Sequence, residues 1–276
     1  MSKVREKVLF AFLGIPTAIC LGVFFWLASV LLSGFGTIKW NLLTASVLNG
    51  GYLEMIVGSA YLLLGAAGIA SPVGVLAAIY LVEYAPRGRL TRVIDQAINN
   101  LAGVPSIVIG LFGYTFFCRQ LGLGISLAAG WFTLSLMMIP IVIRGTEEAV
   151  RMVPNAFKEA ALALGASKWR TVRSITAPSA APGIITSILL GIARVAGETA
   201  AILFTSCVLV TRGLPKSPFE PVMALAFNLF VKIVALGESP DKVFGIAFIL
   251  FLMVISLAAA ATAFRIYYRR RQPWLK

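Results

Sequence analysis

The sequence predicts an all-α polytopic membrane protein: six transmembrane helices in a single domain, residues 1–276. Three observations carry this prediction. Only 13% of the 276 residues are charged, about half of the ~25% usual in soluble domains. Val8–Ile38 runs 31 residues without a charged side chain. Comparable runs recur along the chain, each two or three times longer than the ~10 residues of a membrane-barrel strand. Soluble classes and porin-like barrels are thereby excluded. The formal charge of +13 would raise nucleic-acid binding in a soluble protein. Here the basic residues sit between apolar runs rather than on one face, so no nucleic-acid partner is expected. The chain has three dispersed cysteines and no histidine, so disulfide frameworks, zinc sites and histidine catalysis have no support.

The spans follow in order. Residues 8–32 are too long for a signal-peptide core and read as a retained first span, with Pro16 as a possible kink. Met55–Val82 is charge-free and bracketed by Glu54 and Glu83. It reads as one long helix despite Gly65, Gly68 and Pro72. The third and fourth spans are expected over 96–118 and 120–143, separated by Arg119 alone and therefore antiparallel. A fifth is expected over 176–211, interrupted only by Arg194 and Glu198. The sixth covers 243–264. Between the last two, Arg212–Lys242 combines charge and prolines with an apolar patch at Val222–Phe230, and an interfacial helix is expected there. Glu83 and Asp95 are expected to pair with Arg87, Arg89 or Arg92 in the short loop between them.

Basic residues set the orientation. The even-numbered crossings leave 17 Lys/Arg on the side of both termini and 6 on the other. The positive-inside rule then puts both termini in the cytoplasm, in a plasma (inner) membrane.

The cytoplasmic loop 146–174 carries a pattern of its own. Glu147, Glu148, Val150 and Val153 suggest a first short helix. Pro154 can open a second, with small residues at Ala160, Ala161 and Ala163. Gly165 can stop it by taking positive φ. Lys168-Trp169-Arg170 then begins the return. A small-faced helix turned by glycine suits docking into a cleft of another protein. The spacing Glu159-Ala160-Ala161, Gly165, Ile175, Pro178 resembles the EAA loop of ABC importer permeases, with Ala177 where a leucine is usual. Further stretches extend the likeness: Pro72–Val75, Ala78–Tyr84, Asn100–Val108, Pro154–Trp169, Ala193–Ala200 and Leu203–Thr205. On these the chain resembles the permease subunits of phosphate ABC importers. Sulfate and molybdate permeases share the loop but usually carry phenylalanine where this chain has Thr199.

That resemblance implies a type I (MetI-like) permease fold and a set of partners. These are a homologous second permease, a dimer of ATPase subunits, an extracytoplasmic phosphate-binding protein, phosphate and the lipid bilayer. No Walker-type loop occurs in the chain, so no cofactor is expected on it, and ATP with Mg belongs on the partner ATPase. Glu159, Ala160, Ala161 and Gly165 are then the coupling residues.

Within the fifth span, Arg194 and Glu198 are four residues apart, on one helical face. A start near Ser179 would put Arg194 about 22 Å along the helix, near mid-membrane, where an unpaired arginine costs roughly 2.5–3.5 kcal/mol on insertion scales. Two readings stand: an ion pair that only fastens helices, or a guanidinium that replaces water around a crossing anion while the glutamate prevents a permanent trap. The resemblance implies the second and adds Thr199 to the path. Gly103, Pro105 and Ser106 read either as a packing kink or as a hinge lining the path. An ATPase-independent secondary transporter would leave the loop unexplained. A membrane enzyme would lack a nucleophile or metal site.

Overall fold

The computed structural model describes residues 3–34, 40–86, 88–211 and 213–271. Each apolar run forms helix over at least part of its length, but several boundaries move. Helix α1 (Lys3–Ser33) carries Pro16 within it and packs on the last helix, presenting Phe24, Phe25 and Trp26 outward. After α2 (Trp40–Thr44), the Glu54 carboxylate accepts hydrogen bonds from Ser46 Oγ (2.6 Å) and the Val47 amide (2.8 Å), fixing the chain's entry into α3 (Leu53–Ile79). Helix α3 continues through a wider π-turn, Tyr80–Tyr84, and is unbroken for 32 residues.

The third expected span, 96–118, is not one helix. Helix α4 (Arg89–Gly103) and α5 (Ser106–Gly113, extended by a π-turn over Tyr114–Gln120) meet at 102°. Val104 and Pro105 are both extended, with ψ of 130° and 136°, because proline pushes the residue before it out of the helical region. Gln96, Asn99 and Asn100 carry no charge but are polar, so the charge-free run was not an apolar one. Asp95 pairs with Arg144 (3.0 Å), and Asn99 accepts from the same guanidinium (3.1 Å), which ties α4 to the next helix. Among the described residues Asp95 therefore pairs outside its own loop, not with Arg89 or Arg92 as expected. Arg87 lies outside the described residues, as do Lys39, Arg212 and the tail beyond Arg271.

Helix α6 (Leu127–Arg151) starts seven residues later than expected, after a loop that uses positive φ at Gly122 (69°) and Gly124 (65°). It ends eight residues beyond Ile143. The separate short helix expected at Glu147–Val153 is the end of α6, with Thr146, Glu147, Ala149 and Val150 buried. The charges were no obstacle, because Arg144 neutralises Glu147 at 2.7 Å. At the other end the amides of Ser126, Leu127 and Ala128 donate to the carbonyls of Thr205, Glu220 and Pro218, covering donors that a helix start leaves open.

Two short helices follow, α7 (Asn155–Ala163) and α8 (Lys168–Thr171). Helix α8 runs on through a π-turn, Val172–Thr176, into α9 (Ala177–Ala196), 29 continuous residues in all. The fifth span thus starts earlier than residue 176 and stops at Ala196, not at Thr211. Helix α10 (Ala200–Thr205) and an extended stretch paired at Cys207 and Val222 complete it. Helix α11 (Leu225–Val234) is covered at its start and open at its end: Leu225–Asn228 is buried and Ser59 Oγ accepts the Leu225 amide at 2.9 Å, while Ile233 and Val234 are exposed. Helix α12 (Pro240–Arg271) contains the sixth expected span.

Four stretches are long and apolar enough to cross a bilayer: Leu53–Tyr84, Leu127–Arg151, Lys168–Ala196 and Val243–Tyr267. The bent α4–α5 pair makes a fifth if counted as one. The described apolar part of α1, Gly14–Val30, is shorter than these. The fold is an all-α, multi-pass membrane bundle.

Helices α3, α6 and α9 form its centre, with α12 against α9. Lipid gives apolar helices no hydrophobic reason to associate, so close backbone approach and interhelical hydrogen bonds must do so. Gly65 lies under the Trp131 indole, whose Nε1 donates to Tyr61 O at 2.8 Å. Ser135 Oγ reaches Ala66 O at 3.1 Å. Gly145 faces Ser187, Gly183 faces Ala149, and Gly191 faces Met138 across the α6–α9 contact. Gly65→Leu should therefore lower stability by about 1–3 kcal/mol. Gly68→Leu, one turn away where a Cβ meets nothing within 4 Å, should stay within about 0.5 kcal/mol. Denaturant unfolding of the purified protein in detergent distinguishes the two.

Candidate functional site

The polar residues singled out in the sequence fall into two places. The first is the break between α9 and α10. Arg194 stands in the last turn of α9, where the helix dipole favours a cation, and the helix ends at Gly197. Counting from Lys168, Arg194 is about 39 Å along the continuous helix, so it marks the helix end and not the middle. The pair does not share an unbroken helical face. Glu198 Oε2 still lies 3.3 Å from Arg194 Nη1, with the Glu198 side chain 8% exposed and that of Arg194 55% exposed. A buried carboxylate thus holds one terminal nitrogen of a guanidinium on a side chain that is otherwise exposed.

Glu198 sits where α3, α6, α10 and the entry to α11 meet. A cavity of about 10 Å³ beside it is lined by Ser59, Leu62, Leu134, Ile202 and Ala224. That is about the space of one water probe. Leu134 is seven residues from the start of α6, so Glu198 lies roughly 10 Å inside that end of the bundle. Non-helical backbone at such depth is tolerated only where protein surrounds it or a cavity adjoins it. Here the Glu198 amide donates to Val195 O (3.1 Å), and Thr199 O accepts from the Leu203 amide (3.0 Å). Thr199 is half-buried.

Helix α5 runs parallel to α10. A Cβ at Gly110 would come within 2.8 Å of Ala200 O, and one at Gly113 within 3.0 Å of Thr205 Cγ2. Farther along, Cys118 Sγ donates to Thr205 O (3.6 Å). The corner before α5 and the break before α10 consequently lie at the same end of the pair. Gly103 and Pro105 are exposed there, and Ser106 is half-buried. No hydrogen bond joins these three to Arg194 or Glu198 among the described residues.

The second place is the α7–α8 turn. Pro154 precedes α7 as its cap. Gly165 takes φ of +82°, its amide donates to Leu162 O (2.9 Å), and the Ala166 amide reaches back to Ala161 O (3.1 Å). These two bonds make a Schellman stop, which a left-handed residue closes. Ser167 then caps α8 through the Arg170 amide (3.3 Å). Glu159, Ala160 and Gly165 are exposed and Ala161 is half-buried. Leu164 at the tip is 89% exposed, an apolar side chain left uncovered by the described residues.

Three features had no signal in the sequence. Glu83 pairs with Lys158 of α7 at 2.6 Å and, among the described residues, with no neighbouring arginine. Lys168 Nζ lies 5.0 Å from the Tyr84 ring centroid. Asn228, fully buried in α11, donates to Ala224 O (3.1 Å) while its Oδ1 has no hydrogen-bond partner among the described residues. No spacing rule connects residues 75 positions apart, and only the folded chain brings them together.

Comparison with known proteins adds to this geometry. The family model for the binding-protein-dependent transport system inner membrane component matches residues 70–271. A Bacillus subtilis protein named "Probable ABC transporter permease protein YqgI" is 33% identical over 255 residues, covering 87% of this chain and 86% of its own. The phosphate transport system permease protein PstA 1 of Mycobacterium tuberculosis is 40% identical over 234 residues, covering 81% and 73%. The PstA protein of Yersinia pestis is 46% identical over 157 residues, covering 57% and 53%. Among solved structures, a chain of a bacterial ABC transporter involved in alginate import superposes with a TM-score of 0.66 at 14% identity, over 94% of this chain and 96% of its own. A chain of the inward-facing MetNI methionine ABC transporter gives 0.60 at 19% identity, over 83% and 99%. At these identities the superpositions show a shared fold.

The turn supports one direct test. Gly165→Val forces a β-branched residue into positive φ, at about 1–2 kcal/mol, whereas Gly165→Asn should be tolerated far better. Amide hydrogen exchange across Phe157–Arg170 should speed up in the valine variant and stay near normal in the asparagine one.

Proposed function

The chain belongs to the family of binding-protein-dependent transport system inner-membrane components, and from that membership we infer the permease subunit of an ATP-driven phosphate importer. It is a transporter subunit and not an enzyme. Residues 1–276 act as one membrane domain of six spans, counting α1 and the bent α4–α5 pair as one each. Both termini and the α7–α8 turn face the cytoplasm, following the 17 to 6 division of basic residues. A second, homologous permease completes the path, a phosphate-binding protein delivers the anion, and ATP with Mg is consumed on a pair of ATPase subunits that receive Glu159, Ala160, Ala161 and Gly165. The phosphate assignment draws support from the names of relatives such as the M. tuberculosis PstA 1 protein.

The single observation that carries the site is the open Arg194 guanidinium seated on the buried Glu198 carboxylate at a helix break. Broken helices with exposed backbone are how many transporters build a binding site at membrane depth. Phosphate must shed part of its water to pass, and a guanidinium replaces that water with paired donors. Thr199 adds a hydroxyl beside it, and the Gly103–Ser106 corner lines the approach from α5. Glu198 holds the arginine when no anion is present, so that binding stays weak enough for release.

The test separates a path role from simple fastening. Arg194→Ala alone strands Glu198 and should reduce assembly. Arg194→Ala with Glu198→Ala removes both charges and should assemble, yet phosphate uptake into vesicles should fall by at least tenfold. Near-normal uptake by the assembled double variant would reduce the pair to glue. Uptake of sulfate or molybdate in preference to phosphate by the unaltered complex would overturn the substrate.

A further inference from the structure

The last turn of α3 and the two arms of the α7–α8 turn meet in an arrangement that the reading above does not use. Helix α3 ends in the π-turn Tyr80–Tyr84, closed by the Ala85 amide on Tyr80 O (2.9 Å). A π-turn adds a residue to the helical repeat and re-aims the side chains that follow. Two consecutive residues of this turn are gripped from α7 and α8. Lys158, before the Gly165 turn, pairs with Glu83 at 2.6 Å, the two side chains 16% and 12% exposed. Lys168, after the turn, lies over the Tyr84 ring, which stacks on Tyr80 with an interplanar angle of 8°. Val82, in the same π-turn, packs against the buried cluster that contains Val150, Val153 and Ala180.

We propose that Glu83 is a positioning residue for energy coupling: with Tyr84 it locks the ATPase-docking turn to α3, so that a push on α7 is delivered to the far end of that helix. This rests on the docking role proposed for Glu159–Gly165. One contact would let the α7–α8 turn swivel. Contacts on both sides of Gly165, made to adjacent residues, fix its orientation as well as its position. Helix α3 then runs unbroken for 32 residues, and its opposite half supplies Ser59 and Leu62 to the wall beside Glu198. One continuous helix therefore connects the docking turn to the break. An ion pair largely withdrawn from water is poor glue, since an apolar pair of similar volume often stabilises as well or better. Its two charges do define one register of α7 against α3.

The assay is phosphate uptake and ATP hydrolysis by the assembled importer in vesicles, with and without phosphate-loaded binding protein. Glu83→Lys or Lys158→Glu alone should assemble, while the ratio of stimulated to basal hydrolysis falls at least tenfold and uptake falls with it. Glu83→Lys combined with Lys158→Glu should bring both back to within about threefold of the unaltered complex. If a single variant does not assemble, Glu83→Gln is read instead. It should lower maximal uptake several-fold at unchanged KM, and unaltered maximal uptake would overturn the proposal. So would full coupling in either single variant, or a swap that restores assembly without coupling. Glu159→Lys in the same assay keeps the two readings apart: if it couples normally, the docking role fails. A coupled Glu83→Lys beside an uncoupled Glu159→Lys overturns the lock alone.

Discussion

A carboxylate enclosed in a bundle that lipid surrounds has to be held by the protein itself. Glu198, 8% exposed, is held by the guanidinium of Arg194 at the end of α9. An unpaired charge at membrane depth costs several kcal/mol, so this contact constrains everything near it. The helix must stop at Gly197 so that Glu198 can turn inward between α3 and α6 while Arg194 keeps its outward reach. Two of the backbone groups at the break are taken up locally, the Glu198 amide at Val195 O and the Thr199 carbonyl by the Leu203 amide. The result is a polar feature that spends little of the chain's hydrogen-bonding capacity and leaves most of one guanidinium available.

Close helix packing makes that enclosure possible. Gly65 under Trp131, Gly130 against Leu62 and Ser206, and Gly191 against Met138 let backbones approach where larger residues would keep them apart. Leu225–Asn228 enters the same core from the α11 side. At the opposite end the ion pairs of Arg144 with Asp95 and of Lys158 with Glu83 tie α4 and α7 to the central helices. The molecule thus has an apolar, tightly packed middle with polar fastenings at the end that carries the α7–α8 turn.

Much of this was legible in the sequence. Charge-free runs located helices at α1, α3 and α12 closely, because long apolar stretches have few alternatives once lipid is the solvent. Glycine at 165 announced its positive φ, and Pro154 the start of α7. The four-residue spacing of Arg194 and Glu198 announced a pair. What the sequence hid depends on context. Counting charge alone treated Gln96, Asn99 and Asn100 as apolar and missed the α4–α5 corner. Arg144 and Glu147 looked like the end of a span, yet their mutual neutralisation lets α6 continue to Arg151. A start near Ser179 put Arg194 in mid-helix, whereas α9 grows out of α8 and the break follows directly. The partner of Glu83 comes from a segment brought near only by the return of α8 to the bundle.

Gly197 offers the most direct view of the central claim. It is exposed at the break, and a Cβ there meets nothing within 4 Å, so Gly197→Cys should leave the fold and transport intact. Cys118 and Cys207 are buried and Cys20 is exposed, so the reference is the same complex with Cys20 replaced by serine. In the assembled importer, a hydrophilic, membrane-impermeant thiol reagent should modify residue 197, and the adduct should block phosphate uptake. A cysteine at 197 that stays unmodified both with and without ATP, or a fully modified importer that transports normally, would contradict an open anion path at the α9–α10 break.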